Sequence, residues 1–319
     1  MKPSQLNFQP NTLSEYIGNE KVKQRISIAI NACKTKNITM NHTLITGDRG
    51  TGKTTLGKLI AKELNTSYKV LSADSIIKLS DLTNLFLLNF PQIIIIDEIH
   101  NLKANLSDSM HQAMDTFEYS YIDEEGQLQT EELHPFCVIG MTTDPGLLTA
   151  PMYSRFSKKY HLLQYTVLNL QRIIMQASKS NEIDINSEAA FSISLRSFGI
   201  PRIALSHFSN VYEYALKFNN GVINNMMALK CFDLHDIDDK GLDIVQIQIL
   251  KTVSSSKKPM GAENICQSVK IGLEGLLKIY EPPLISIGFL RRTSVGREIT
   301  REGLKHLNNS KLIRSYRKR

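Results

Sequence analysis

Residues 47–55 read GDRGTGKTT. Gly47, Gly52, Lys53 and Thr54 fit the spacing G-x4-G-K-[ST], between a strand-like stretch and a run with Leu56, Leu59, Ile60 and Leu64 at helical intervals. That pattern binds phosphate. Glycine lets the backbone N–H groups around Gly50, Thr51 and Gly52 close on an anion, and the following helix presents its positive end. Lys53 reaches β- and γ-phosphates, the Thr54 hydroxyl suits Mg²⁺, and Thr55 can donate toward the α-phosphate. Asp48 and Arg49 fill variable positions where the backbone makes the cradle. Their side chains are expected to point outward, with Arg49 offsetting the acid. A second acidic element is IIIIDEIH, residues 93–100. Asp97 at the strand's carboxyl end suits an outer-shell role on Mg²⁺, and Glu98 is placed to orient or deprotonate an attacking water. The alternative is a surface acid pair that caps the next helix.

These groups need a sheet to hold them. Residues 42–46, 68–71, 90–98 and 136–143 read as strands. The run at 90–98 is apolar without alternation, as in a parallel strand buried on both faces. Strands alternating with helical patterns predict an α/β domain with a parallel sheet. From Val167 the pattern turns helical: LNLQRIIMQASK, SEAAFSISLRSFG and PRIALSHFSNVYEYALKF. A composition shift at DLHDIDDKG, 233–241, precedes three short helical patterns and then GFLRRTSVGREIT, which reads as two short strands around a Ser-Val-Gly turn. Helices followed by a hairpin predict a winged helix. The expected domains are a nucleotide-binding domain over 1–162, a small helical domain over 163–233 and a winged-helix domain over 234–319.

Composition narrows the function. Of 319 residues 42% are hydrophobic, enough for ordinary cores. No apolar run approaches the roughly 18 residues of a membrane span, and the first residues lack a signal-peptide core. Cys33, Cys137, Cys231 and Cys266 are scattered, which argues against a disulfide framework or zinc site and fits a reducing cytoplasm. The net charge of +7 is concentrated at one end. Residues 291–319 hold ten Lys/Arg against Glu298 and Glu302, so residues 1–290 are close to neutral. A basic end on a neutral body points to an anionic polymer, the bland alternative being a solvated tail.

The chain resembles the RuvB family of AAA+ motors, which drive branch migration of Holliday junctions. The resemblance is carried by TLSEYIGNEKVK (12–23), GDRGTGKTTL (47–56), IDEIH (96–100), GMTTDPGLLTAPMYSRF (140–156), GIPRIA (199–204), GLD (241–243), YEPPLISIGFLRRTSVGR (280–297) and KHL (305–307). It implies an AAA+ domain, a helical lid and a winged helix, with ATP and Mg²⁺ as cofactors. It implies that Phe8 and Gln9 lie beside adenine and ribose, and that Tyr16 and Ile17 line the adenine pocket. Thr143 matches sensor 1 and Arg155 the arginine finger that enters a neighbour's site. Tyr165, Arg202 (sensor 2) and the stretch Asp115, Thr116 and Phe117 match further nucleotide contacts, and Arg292 and Arg297 match DNA contacts. A finger acting in trans implies a homo-oligomeric ring, a hexamer. The wider implication is a DNA motor with a RuvA-like junction-binding partner. DNA contact through phosphate predicts steep salt dependence and little sequence preference.

Several positions depart from the family. Asp48-Arg49 replaces Pro-Pro, Gln9 and Asp144 replace arginines, and HFSNVYEY has lost the lid's positive charge. The hairpin region 117–136 carries six acids (Glu118, Asp123, Glu124, Glu125, Glu131, Glu132) and no Lys or Arg. Such a hairpin should avoid DNA and dock a protein, with Tyr119, Tyr121, Ile122 and Leu128 as its apolar contacts, whether that protein is RuvA-like or different. The alternatives to a motor are an AAA+ loader that places a ring protein on DNA with ATP as a timer, or a paralogue that binds without appreciable hydrolysis.

Overall fold

The computed structural model describes residues 6, 8–88, 91–123, 125–256 and 258–309. Two compact units divide the described residues, one spanning residues 8–165 and the other those from Thr166 onward.

The first unit is built on five parallel strands: β1 (Thr43–Gly47), β2 (Tyr68–Ser72), β3 (Ile93–Asp97), β6 (Cys137–Thr142) and β7 (Lys158–Leu162), in the order β2-β3-β6-β1-β7. The strands β4 (Glu118–Ile122) and β5 (Leu128–Glu132) form a separate antiparallel hairpin. The helices of this unit are α1 (Glu20–Lys36), α2 (Lys53–Leu64), α3 (Leu79–Leu87), α4 (Ala104–Thr116) and α5 (Ala150–Arg155). Successive strand residues point to opposite faces. Accordingly Ile93 and Ile95 join one core with Ile26, Ile30, Leu56 and Leu59 of α1 and α2, while Ile94 and Ile96 join another with Leu82, Phe86, Leu106 and Met110 of α3 and α4. Both faces are covered, which is why β3 is apolar throughout.

β3 starts at Ile93 rather than Phe90. Phe90 lies outside the described residues, and Pro91 has no N–H to give a ladder. β1 starts at Thr43 rather than His42. The His42 ring instead bonds the Met114 carbonyl through Nε2 at 3.0 Å and accepts from the Val138 N–H at Nδ1 at 3.0 Å, tying α4 to β6.

The second unit opens with helices α6 (Val167–Ser180), α7 (Ser187–Leu195), α8 (Pro201–Phe218) and α9 (Asn225–Leu234). Pro201 sits at the first position of α8, where its missing N–H costs nothing. Then come α10 (Ile244–Ser254), α11 (Ala262–Val269) and α12 (Leu273–Gly275). A π-turn (Leu276–Tyr280) leads into α13 (Glu281–Ser286), the hairpin β8 (Leu290–Thr293) and β9 (Gly296–Ile299), and α14 (Arg301–Asn309). This is a winged helix, and β9 makes an additional bridge with Met260.

A polar joint ties the two halves of this unit. Buried Arg196 donates to the Asp238 carbonyl at 3.0 Å and to the Ser192 carbonyl and hydroxyl, each at 2.9 Å. The Asp238 carboxylate accepts from the N–H groups of Lys240 and Leu242 and pairs with His306 Nε2 of α14 at 2.6 Å. Gly241 (φ +87°) lies against the Arg196 carbonyl, where a Cβ would collide. Of the ten basic residues beyond 290, Lys311, Arg314, Arg317, Lys318 and Arg319 lie outside the described residues. Among the described residues no helix is long and apolar enough to cross a membrane, and the four cysteines are free thiols.

His207 of α8 meets Phe232 edge-on at 5.3 Å, and its Nε2 has no hydrogen-bond partner among the described residues. Burial pushes its pKa from 6.5 down to about 4. A histidine held neutral takes up a proton on unfolding, so its contribution is complete above pH 6.5 and is lost as pH falls through about 4. That difference corresponds to about 3 kcal/mol at most. Urea unfolding of His207→Phe should therefore show a shallower loss of stability across this window than the parent chain. Equal slopes would mean that another group carries the acid sensitivity.

Candidate functional site

The loop between β1 and α2 is shaped by Gly50 (φ +78°) and Gly52 (φ +97°), conformations that favour glycine. A Cβ on Gly52 would also stand 3.0 Å from the Tyr16 hydroxyl. No side chain caps α2, so its first-turn N–H groups remain for an anion. Lys53 is buried, and its ammonium donates to the carbonyls of Gly47 at 2.8 Å and Asp48 at 3.1 Å. Thr51 is buried, with its hydroxyl on the Asp48 carbonyl. Thr54 and Thr55 stand half-buried on the first turn of α2. Asp48 and Arg49 point outward as expected, but Gln164, not Arg49, meets the acid: its Nε2 donates to the Asp48 carboxylate at 3.0 Å.

The acidic pair is brought to this loop by the sheet. The Thr54 hydroxyl donates to Asp97 Oδ2 at 3.4 Å, a donor set of hydroxyl and carboxylate that fits a hard divalent cation beside phosphate. Glu98 adopts a left-handed conformation (φ +48°), and its Oε2 accepts from both the N–H and the hydroxyl of Thr143, at 3.0 and 3.1 Å. His100 Nδ1 lies 3.4 Å from the same oxygen and 2.8 Å from the Thr142 hydroxyl. Neither acid caps the short helix Ile99–Asn101, so the capping alternative fails. A carboxylate fixed by two donors beside a phosphate loop can orient a water for attack.

Two tyrosines close the loop from the other side. The Tyr165 hydroxyl lies 2.8 Å from the Tyr16 hydroxyl and 3.1 Å from the Thr51 carbonyl, so the two phenols and this carbonyl share one hydrogen-bonded cluster. Burial pushes both phenols up. Gly18 (φ +84°) makes room for the Tyr165 ring, since a Cβ would come within 2.6 Å of Cε1. Ile17 and Phe8 are half-buried and Gln9 is exposed.

Not all the expected residues gather here. Arg155 of α5 donates to Asp115 Oδ2 at 2.5 Å and to the Pro151 carbonyl at 2.8 Å, forming a second cluster with the end of α4. Thr116 is exposed, while the Phe117 ring turns to His42 and Phe136 in the core. Arg202 is exposed on the first turn of α8, in the other compact unit. Arg292 and Arg297 both grip Glu281, a residue the sequence reading passed over. Within the hairpin, Tyr119 is only 2% exposed, against Phe86, and is removed from the expected docking contacts. Ile122 and Leu128 face each other near the turn and are 71% and 73% exposed. Glu124 lies outside the described residues.

A parallel sheet with a phosphate loop, an acidic pair at the end of β3 and a polar group after β6, followed by a helical bundle and a winged helix, defines a nucleotide-binding P-loop ATPase of the AAA+ class. Three family models match successive parts of the chain: the Holliday junction DNA helicase RuvB P-loop domain over residues 8–162, the RuvB AAA lid domain over 165–238 and the RuvB C-terminal winged helix domain over 239–308. The chain belongs to the RuvB family. The Holliday junction branch migration complex subunit RuvB of Thermotoga maritima is 34% identical over 306 residues, covering 94% of this chain and 92% of that protein. The subunit of the same name from Leuconostoc mesenteroides is 35% identical over 313 residues, covering 96% and 89%. The solved structure of the Thermotoga maritima RuvB Holliday junction branch migration motor superposes with a TM-score of 0.82 at 34% identity, covering 94% of this chain and 98% of that one.

Gly18→Ala should push Tyr165 off the Thr51 carbonyl and weaken nucleotide binding about tenfold, or roughly 1.4 kcal/mol. Titration with a fluorescent nucleotide checks this. Unchanged affinity would show that the tyrosine pair does not shape the loop.

Proposed function

We propose that this chain is the ATP-driven motor of Holliday junction branch migration, working as a hexameric ring with a RuvA-type junction-binding partner in the cytoplasm. The observation that carries the reading is the hydrolytic set around the loop, with Glu98 held by Thr143 opposite Lys53 and Thr54. Lys53 and the N–H groups of Gly50, Thr51 and Gly52 bind the phosphates, and Thr55 donates beside them. Tyr16, Ile17, Phe8, Gln9, Tyr165 and Arg202 hold the nucleoside end and its flank. Thr54, with Asp97 in the outer shell, would hold Mg²⁺, which would supply neutralisation of the phosphate charge. Glu98 takes the proton of the attacking water, and Thr143 fixes its carboxylate. Arg155, presented with Asp115 on the surface formed by α4 and α5, completes the site of a neighbouring subunit, with Thr116 and the backbone of Phe117 following Asp115 in the chain. Arg292 and Arg297 carry the contact to DNA phosphate, and the hairpin 118–134 docks the partner through its exposed tip. Nothing in the site, or in the relatives named above, favours the loader alternative.

The deciding experiment uses a labelled synthetic four-way junction with ATP and a RuvA-type partner. Arms should separate with the parent chain and not with Lys53→Ala. ATP hydrolysis without separation, at any partner concentration, would defeat the motor reading. Glu98→Gln should keep nucleotide affinity and lose at least about a hundredfold in hydrolysis rate. Arg155→Ala should lose about a thousandfold or more. Mixing Arg155→Ala with Lys53→Ala subunits should restore part of the activity, because each supplies what the other lacks at a shared site. Failure of the mixture would place Arg155 in its own subunit's chemistry.

A further inference from the structure

Glu281 is fully buried at the start of α13, yet its carboxylate meets the most basic part of the chain. A π-turn places it: its N–H reaches back to the Leu276 carbonyl, and Pro282 and Pro283 follow without donors of their own. Its carboxylate accepts four bonds from the wing. Oε1 takes the Nε–H groups of Arg292 at 3.0 Å and Arg297 at 2.8 Å, and Oε2 takes their Nη2 groups at 3.0 and 3.2 Å. The two guanidiniums thus share one carboxylate, two bonds to each oxygen, and use its acceptor positions. The neighbouring Arg291 is paired with Glu298 at 2.7 Å.

The two arginines differ in what remains. The Arg297 side chain is 16% exposed and its backbone bridges Met260, so it pins β9 to the body of the domain. The Arg292 side chain is 53% exposed. Glu281 occupies its Nε edge and leaves the Nη1–Nη2 edge, which can make a bidentate bond to phosphate.

We infer that Glu281 is a positioning residue for DNA: its buried carboxylate fixes Arg292 so that the outer edge of the guanidinium stands ready as a phosphate fork. The inference rests on the proposal that the wing binds DNA. It runs against simple electrostatics. Removing a carboxylate from a DNA-binding wing adds one unit of positive charge and should tighten binding if charge alone mattered. If Glu281 preorganises Arg292, removing it weakens binding, because the fork must then be ordered at the moment of contact.

The test is fluorescence anisotropy of the full-length chain on a labelled duplex across a salt series. Glu281→Gln should weaken binding about tenfold, comparably to Arg292→Ala, and flatten the plot of log Kd against log salt by about one unit. In the Arg292→Ala background Glu281→Gln should cost clearly less than it does in the parent, leaving only what it does through Arg297, whereas a purely structural role would cost the same in both. Glu281→Asp keeps the charge but shortens the reach. It should also weaken binding, and it carries the test if the Gln variant fails to fold. Tighter or unchanged binding by both single variants overturns the inference while the motor reading stands. A parent chain that does not bind duplex at low salt removes the DNA reading, and this inference with it.

Discussion

The site depends on one geometric constraint, the parallel register of β3, β6 and β1. Ile96 lies opposite Gly140, and Thr46 lies opposite Thr142, so the carboxyl ends of the three strands form a single rim. The phosphate loop leaves β1, Asp97 and Glu98 close β3, and Thr143 follows β6. A slip of one residue in β3 would turn its isoleucines to the wrong cores and move Glu98 away from Thr143 at the same time. Stability and chemistry are therefore set by the same hydrogen-bond ladder.

What the sequence disclosed follows from the range of the interactions. The spacing of Gly47, Gly52, Lys53 and Thr54 is local, and four consecutive isoleucines announce a buried strand. Pro201 and Phe218 bound α8 where the sequence pattern begins and ends. β7 was not legible, because Lys158, Lys159 and His161 hide a strand behind polar side chains, and β5, with Gln129, Glu131 and Glu132, was expected only through the resemblance that makes 117–136 a hairpin. The site was legible where it is contiguous. The meeting of Glu98 with Thr143, of Tyr165 with Thr51 and of Arg155 with Asp115 spans many residues of chain, and no spacing rule reaches that far. Glu98 and Thr51 stand in contiguous motifs, whereas Thr143, Tyr165, Arg155 and Asp115 were visible only through resemblance. Glu281 was invisible for a different reason: in sequence it is one acid before two prolines, and its role is defined by arginines on a later hairpin.

Charge counted along the chain also misleads when charges are paired. The basic end looked like an open field of cations. Within the described wing, Glu281 and Glu298 neutralise much of it, and half of the basic residues lie beyond Asn309. What the fold offers there is a small number of aimed donors, held on a body that Asp238 and His306 lock to the preceding helices.

The hairpin β4–β5 stands outside the main sheet. Tyr119 anchors its base against Phe86, and Asp123 organises its own turn by accepting from Gln127 and Gln129. Substitutions beyond that base leave the catalytic rim and its register untouched. The tip is thus mechanically separate: a change in its charge alters what it can touch without passing through the strands that carry the phosphate loop.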